Sequence, residues 1–456
     1  MHSRIVRRGL EIFRLCEGSE SFVCGRETIC IFCIRPSGVK MGQSLFILCF
    51  SLVVAGVNEG GLGDSGPLVR SRGGNVPIVP VWRYASHGDY KSRNSIGGSY
   101  VPVNCTVADL FRYSLDNGAF EGHVVTSWWG RAFYFSIPRF ALAPDRASKC
   151  FCVTDEYRHA EASYKGAVSF FMGMIGARLV FEKFLGGNKP NYQLLHAGDS
   201  KHFILTPSIG KGKSFSGNGK KYSGKPKPDY VAIDDRGVPY ALVEAKGTSG
   251  VRVRYASVEE AKGQLQLDWV TTLDAAGRPL WVRSGDELEK HVVASSFPRG
   301  VASKASSWEL CDVDPDGAGE GGLIIKLDGA IYAHYMPVLQ WLSRDEVRRE
   351  SVNGVDCDLV QIGEGVSVGL VSGLREVIAD HGNVTVGFGD QGSGVQERDS
   401  ADCFRRVSEF FRSMEGFQGR SEGENVSMGG DGVVVVLSDD YVQAFDMEAD
   451  RASGVS

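Results

Sequence analysis

The chain has 456 residues, 43% of them hydrophobic and 23% charged, which excludes wholesale disorder, collagen-like repeats and a polytopic membrane protein. Fifty Lys and Arg against 55 Asp and Glu leave a net charge of -5, so nucleic-acid contact has to come from a local basic patch. The 58 glycines predict short elements cut by many turns, and eleven scattered cysteines read as reduced thiols of a cytoplasmic protein.

Residues 1–60 form an atypical segment. Cys16, Cys24, Cys30, Cys33 and Cys49 cluster there with a single CxxC, too little for a zinc site, and Met41 could be an alternative start. Leu45 to Val57 is apolar but too short to span a bilayer; it reads as a buried strand, and the apolar region of a signal peptide stays open as the alternative. Residues 61–154 carry short apolar stretches such as VPIVPVW, broken by Gly and Pro, and predict a β-rich N-terminal portion.

From about Glu156 to Leu185 the chain is apolar nearly all round at helical spacing, which predicts one long buried helix. YQLLH and KHFIL read as strands. Gly210 to Pro228 follows with six lysines and no acid, a basic loop unable to pack a core. Gly212-Lys213-Ser214 fails as a phosphate-binding loop because Pro207 stands where a glycine is required.

Pro228 to Gly247, PDYVAIDDRGVPYALVEAKG, reads as a β-hairpin. With Arg236 and Gly237 as its turn, residues whose numbers sum to 473 face each other, which sets Asp229 opposite Glu244. Strand alternation then puts Glu244 and Lys246 on one face, with Val243 and Ala245 turned into packing. Two carboxylates that close repel, and a divalent cation relieves the repulsion; Mg²⁺ suits oxygen ligands and keeps waters that can attack a phosphodiester. The plain alternative is a surface hairpin on which a Glu and a Lys pair.

This pattern resembles the active-site motif of the PD-(D/E)xK nuclease superfamily, with Pro228, Asp229, Glu244 and Lys246 at its four positions. The resemblance implies an α/β protein with a restriction-endonuclease-like core, a mixed central sheet flanked by helices, spanning about residues 155–345 with N- and C-terminal additions. It implies metal-dependent endonucleolytic hydrolysis of DNA, with RNA as the alternative substrate, catalytic Asp229, Glu244 and Lys246, and Mg²⁺ held by Asp229 and Glu244. It also implies a helix before the sheet, where Glu182 could add an acid or simply pair with Arg178, and one after the lysine. Ser257 to Leu273, opened by a Ser257/Glu260 capping box, fits the second and offers Gln264 or Gln266 near the site. DNA backbone would follow Lys220, Lys221 and Lys225, with Arg252 and Arg254 as further contacts. An inactive copy of the same fold, serving as a nucleic-acid-binding or interaction module, is the rival reading, and a homodimer is open.

Farther on, EKHVVASSFP and SWELCDVDP read as strands and GGLIIKLDGAIYAHYMPVLQWL as strand then helix. DVDPDGAGEGGL lacks the closing Glu of a calcium loop, and its GxGxxG precedes a strand rather than a helix. Residues 346–456 predict a small α/β appendage: Ser367 to His381 an amphipathic helix, NVTVGF a strand, Ala401 to Met414 a helix, GVVVVL a strand, and a frayed tail after Asp450.

Overall fold

The computed structural model describes residues 76–452 except 99, 116–135, 146–147, 187–191, 199, 207–226, 298–307, 314–320, 344–345, 380–401, 415, 420 and 423. The cysteine cluster, Leu45 to Val57, NVTVGF and the lysines at 220, 221 and 225 lie outside these residues. All described residues belong to one unit, Ser71–Ser456.

The chain opens with β1 (Ile78–Tyr84), α1 (His87–Ser92), β2 (Val101–Asn104), α2 (Val107–Ser114), β3 (Leu142–Asp145) and β4 (Cys150–Val153). A capping box between Thr106 and Asp109 starts α2. Instead of one helix from 156 to 185 there are two, α3 (Asp155–His159) and α4 (Ala162–Lys183). Ala160 takes an extended backbone between them, and Tyr157 folds back so that its hydroxyl meets Ser169 Oγ at 2.7 Å, which turns the short helix across α4. From Val168 to Glu182, α4 is buried almost all round, as its apolar surface predicts.

Next come β5 (Gln193–His196), β6 (Phe203–Thr206), β7 (Tyr230–Ile233), β8 (Pro239–Thr248) and α5 (Tyr255–Leu265). The helix expected to reach Leu273 stops at Leu265, and Arg254 rather than Ser257 occupies its N-cap without a side-chain bond. WVTTL becomes β9 (Trp269–Leu273), since its β-branched residues fill a pleated surface better than a helix. Then follow β10 (Pro279–Ser284), β11 (Glu289–Ser296), β12 (Glu309–Val313), β13 (Gly322–Lys326) and α6 (Leu327–Leu342).

The remainder is β14 (Arg348–Val352), β15 (Val355–Gly363), β16 (Val366–Val371), α7 (Leu374–Ala379), α8 (Cys403–Ser413), β17 (Ser421–Glu422), β18 (Val426–Met428), β19 (Val433–Leu437) and α9 (Asp439–Ala452). The amphipathic stretch from Ser367 is thus a strand before it is a helix. Gly369 explains the choice: a Cβ there would meet the Asp358 carbonyl oxygen at 1.9 Å, so only glycine lets β15 and β16 pair this closely. The last described helix runs through Ala452, two residues into the tail expected to fray after Asp450; the rest of that tail lies outside the described residues.

The molecule is α/β. Among the described residues the central sheet runs β3-β4-β1-β12-β11-β8-β7-β5 with β2 on β1, and it is mixed: β8 and β11 are parallel, β7 and β8 antiparallel. The N-terminal strands are therefore part of the same sheet as the hairpin, not a separate β-rich portion. A second sheet runs β10-β9-β13-β6 and a third, antiparallel one β14-β15-β16-β19-β18-β17. The third sheet is no loose appendage. Asp431, in the turn before β19, accepts bonds from Arg178 of α4 at 3.3 Å and His334 of α6 at 3.0 Å, and Ser427 of β18 joins Asp109 and Arg112 of α2.

Candidate active site

Tyr230 faces Val243 and Val231 faces Leu242, so carrying the pairing one residue further sets Asp229 opposite Glu244. The turn that produces this is one residue longer than the expected one. Asp234 accepts from Gly237 at 3.0 Å and its own N–H reaches the Val238 carbonyl, which puts Asp235 and Arg236 at the turn and Gly237 at φ 79°. Ile233 then pairs with Pro239, and a bulge at Tyr240 shifts the register by one before Ala232 meets Ala241. The extra turn residue and the bulge cancel. Without the bulge, Asp229 would face Val243.

At the open end of the hairpin the side chains tie the strands together. Glu244 Oε2 accepts from the Asp229 N–H at 3.1 Å, and Asp229 Oδ2 accepts from the Ala245 N–H at 2.8 Å. Lys246 Nζ donates to Glu244 Oε1 and, at 2.9 Å, to Gln264 Oε1 of α5. Gln264 Nε2 reaches the carbonyl of Lys227 at 3.3 Å, and Lys227 Nζ donates to the carbonyls of Phe203 at 3.2 Å and Gly198 at 3.3 Å. The lysine-rich segment thus enters the hairpin at a pinned end. Sequence reasoning passed over Lys227 as one more loop lysine; its place directly before Pro228-Asp229 was the available signal.

Glu244 is 1% exposed. Burial, then the neighbouring Asp229 carboxylate, push its carboxyl up to about 8 against the opposing pull of Lys246. Burial raises Asp229 as well, while the Ala245 N–H and Lys246 pull it down. At neutral pH the pair therefore retains a proton, first because both carboxyls are buried and second because Asp229 stands beside Glu244.

The two helices lie on opposite faces of the sheet. A Cβ on Gly247 would meet the Ser169 carbonyl oxygen of α4 at 1.7 Å, so α4 packs on the face of Ala245 and Gly247. Lys246 meets Gln264, so α5 covers the face of Glu244 and Lys246. Glu182 of α4 is accordingly across the sheet from the site, and its partner is not Arg178. It binds Arg112 Nη2 at 2.5 Å and the Tyr113 hydroxyl at 3.2 Å, both on α2, while Arg178 bonds the Leu194 carbonyl and Asp431. Of the two glutamines, Gln264 joins the site; Gln266 caps the end of α5. Arg252 is clamped 3.8 Å over the Tyr90 ring, with Nη2 bonded to the Tyr90 carbonyl, so its guanidinium is committed to packing. Arg254 is exposed.

Among the described residues no group of three or more His, Cys, Asp or Glu side chains converges as a metal site. Asp229 and Glu244 supply two carboxylates in a charge-frustrated pocket, a donor set that fits a hard divalent cation retaining several waters. No described helix is long and apolar enough to cross a membrane. No protein-family model, curated protein or solved structure matches the chain.

Proposed function

We propose that this chain is a Mg²⁺-dependent nuclease hydrolysing phosphodiester bonds of DNA, on a core resembling the restriction-endonuclease-like fold. The convergence of Asp229, Glu244 and Lys246 on one sheet face carries the reading. The order β7, β8, crossover helix α5 and parallel β11, with α4 behind the sheet, is consistent with it.

Asp229 and Glu244 would hold the cation, which when bound supplies positive charge beside the scissile phosphate and acidifies its waters. Lys246, aimed by Gln264, would orient the attacking water or offset charge developing on the phosphate. Lys220, Lys221 and Lys225 would bind backbone phosphates and so bring DNA to the pinned Lys227.

Plasmid nicking with and without Mg²⁺ tests the proposal, with Asp229→Asn and Glu244→Gln as controls. Each variant should lower Mg²⁺-dependent cleavage by a factor of about 100 or more with an unchanged circular dichroism spectrum. Wild-type cleavage rates in both would remove the site assignment.

One observation favours a second reading, a nucleic-acid-binding module without catalysis: Glu244 is sealed from solvent and Lys246 is already bonded to Glu244 and Gln264. Calorimetric titration with Mg²⁺ separates the two, since an inactive copy has no reason to hold the ion.

A further inference from the structure

We propose that Lys227 is a positioning residue for Lys246, acting through its own main-chain carbonyl and the Gln264 amide; its consequence for cleavage rests on the nuclease reading above. Lys246 uses two of its three N–H donors within the protein, one on Glu244 Oε1 and one on Gln264 Oε1 at 2.9 Å. A carboxylate engaged with a cation has less to offer an ammonium, and Gln264 is then the anchor that remains. The Gln264 amide can serve only one way round. An ammonium has no lone pair and a carbonyl has no hydrogen, so Oε1 must face Lys246 and Nε2 must face the Lys227 carbonyl, which it reaches at 3.3 Å. Where the Lys227 carbonyl sits therefore sets where the Lys246 ammonium is held.

Two features fix that carbonyl. Pro228 follows it, buried, and its ring disfavours helical backbone at the residue before it. Lys227 Nζ then crosses to the second sheet, donating to the carbonyl of Phe203 at 3.2 Å and to that of Gly198, ahead of β6, at 3.3 Å. Phe203 pairs with Ile325 of β13, so the strap ends on a paired strand. The second sheet thereby orients a side chain of the central one. Engagement with two carbonyls also separates Lys227 from Lys220, Lys221 and Lys225: its ammonium works inside the protein, so it should govern turnover and not DNA affinity.

Lys227→Met should lower kcat for plasmid nicking by about 10- to 100-fold while KM and the salt dependence of DNA binding stay at wild-type values. Lys227→Arg, which can still donate to both carbonyls, should recover most of the rate. Gln264→Met should match Lys227→Met, and the double variant should be no slower than either, because the two act in series. A second readout needs no cleavage. In the metal-free protein, brief acylation followed by peptide mass spectrometry should find Lys246 modified about fivefold faster in Lys227→Met and in Gln264→Met than in wild type, the weight of one hydrogen bond, with the exposed Lys149 unchanged. If wild-type protein cleaves nothing, the nuclease reading falls and the acylation rates alone decide the brace. An unchanged Lys246 rate in Lys227→Met, additive losses in the double variant, or a raised KM with a flatter salt slope at unchanged kcat would overturn the proposal.

Discussion

Glu244→Gln should make the metal-free protein more stable in alkali and slightly less stable in acid. The wild-type carboxyl is buried, and its value of about 8 stands against an ordinary 4.5. Below pH 4.5 it is protonated in both folded and unfolded chains, so no charge is buried. Between 4.5 and 8 the unfolded chain has released the proton that the folded chain keeps, and stability falls as pH rises through that window. Above 8 the folded state carries the buried charge in full, a cost on the order of 5 kcal/mol, comparable to the net stability of a whole domain. Glutamine keeps the shape but cannot accept from both the Asp229 N–H and Lys246 through one oxygen, a loss of about 1 kcal/mol at every pH. Urea unfolding in EDTA at pH 5, 7 and 9 should therefore give crossing curves: the wild-type midpoint drops with pH relative to the variant, starting above it and ending below. Mg²⁺ added at pH 9 should recover the wild-type midpoint, by about 2.7 kcal/mol at a hundred times the dissociation constant, and leave the variant unmoved. Parallel curves would mean that Glu244 titrates normally and that the pocket has no surplus of carboxylate for a cation to relieve.

Gly247→Ala should cost at least about 1–3 kcal/mol, because the added methyl meets the Ser169 backbone carbonyl, and it should lower the thermal unfolding temperature even without metal. Arg112→Ala or Glu182→Ala should each cost about 3–5 kcal/mol in urea unfolding by leaving a buried charge unpaired, while pairing Arg112→Met with Glu182→Leu should cost much less. Replacing Lys220, Lys221 and Lys225 with Gln should flatten the salt dependence of DNA binding by about one unit of log-log slope per lost contact, and change cleavage at saturating DNA far less. An unchanged slope would move the DNA path elsewhere.

The hairpin was legible because everything that specifies it is local. Alternation in DYVAID and PYALVEAK, a turn-forming DDRG and a bulge all lie within twenty residues, and period 2 puts Glu244 and Lys246 on one face whatever the surroundings. Even there the facing of Asp229 and Glu244 came from two offsetting shifts, a turn one residue longer than expected and a bulge at Tyr240, neither of which composition reveals. VSVGLV and WVTTL fit a strand or a helix by pattern, and the decision fell to neighbours far along the chain: β15 needing Gly369 at close range, and β13 in register with β9.

Sequence alone therefore determined the elements with strong local period and the residue types gathered at the end of β8. Tertiary structure decided the rest. Parallel pairing of β1 with β12 joins residues more than 200 positions apart and merges the N-terminal strands into the central sheet, and no local signal encodes such a contact. The same holds for charge. Glu182 reads from sequence as either a further site acid or a partner of Arg178 one turn away, yet it pairs with Arg112 of α2, because the ion pair that forms in a buried space is the one the packing of helices brings within reach.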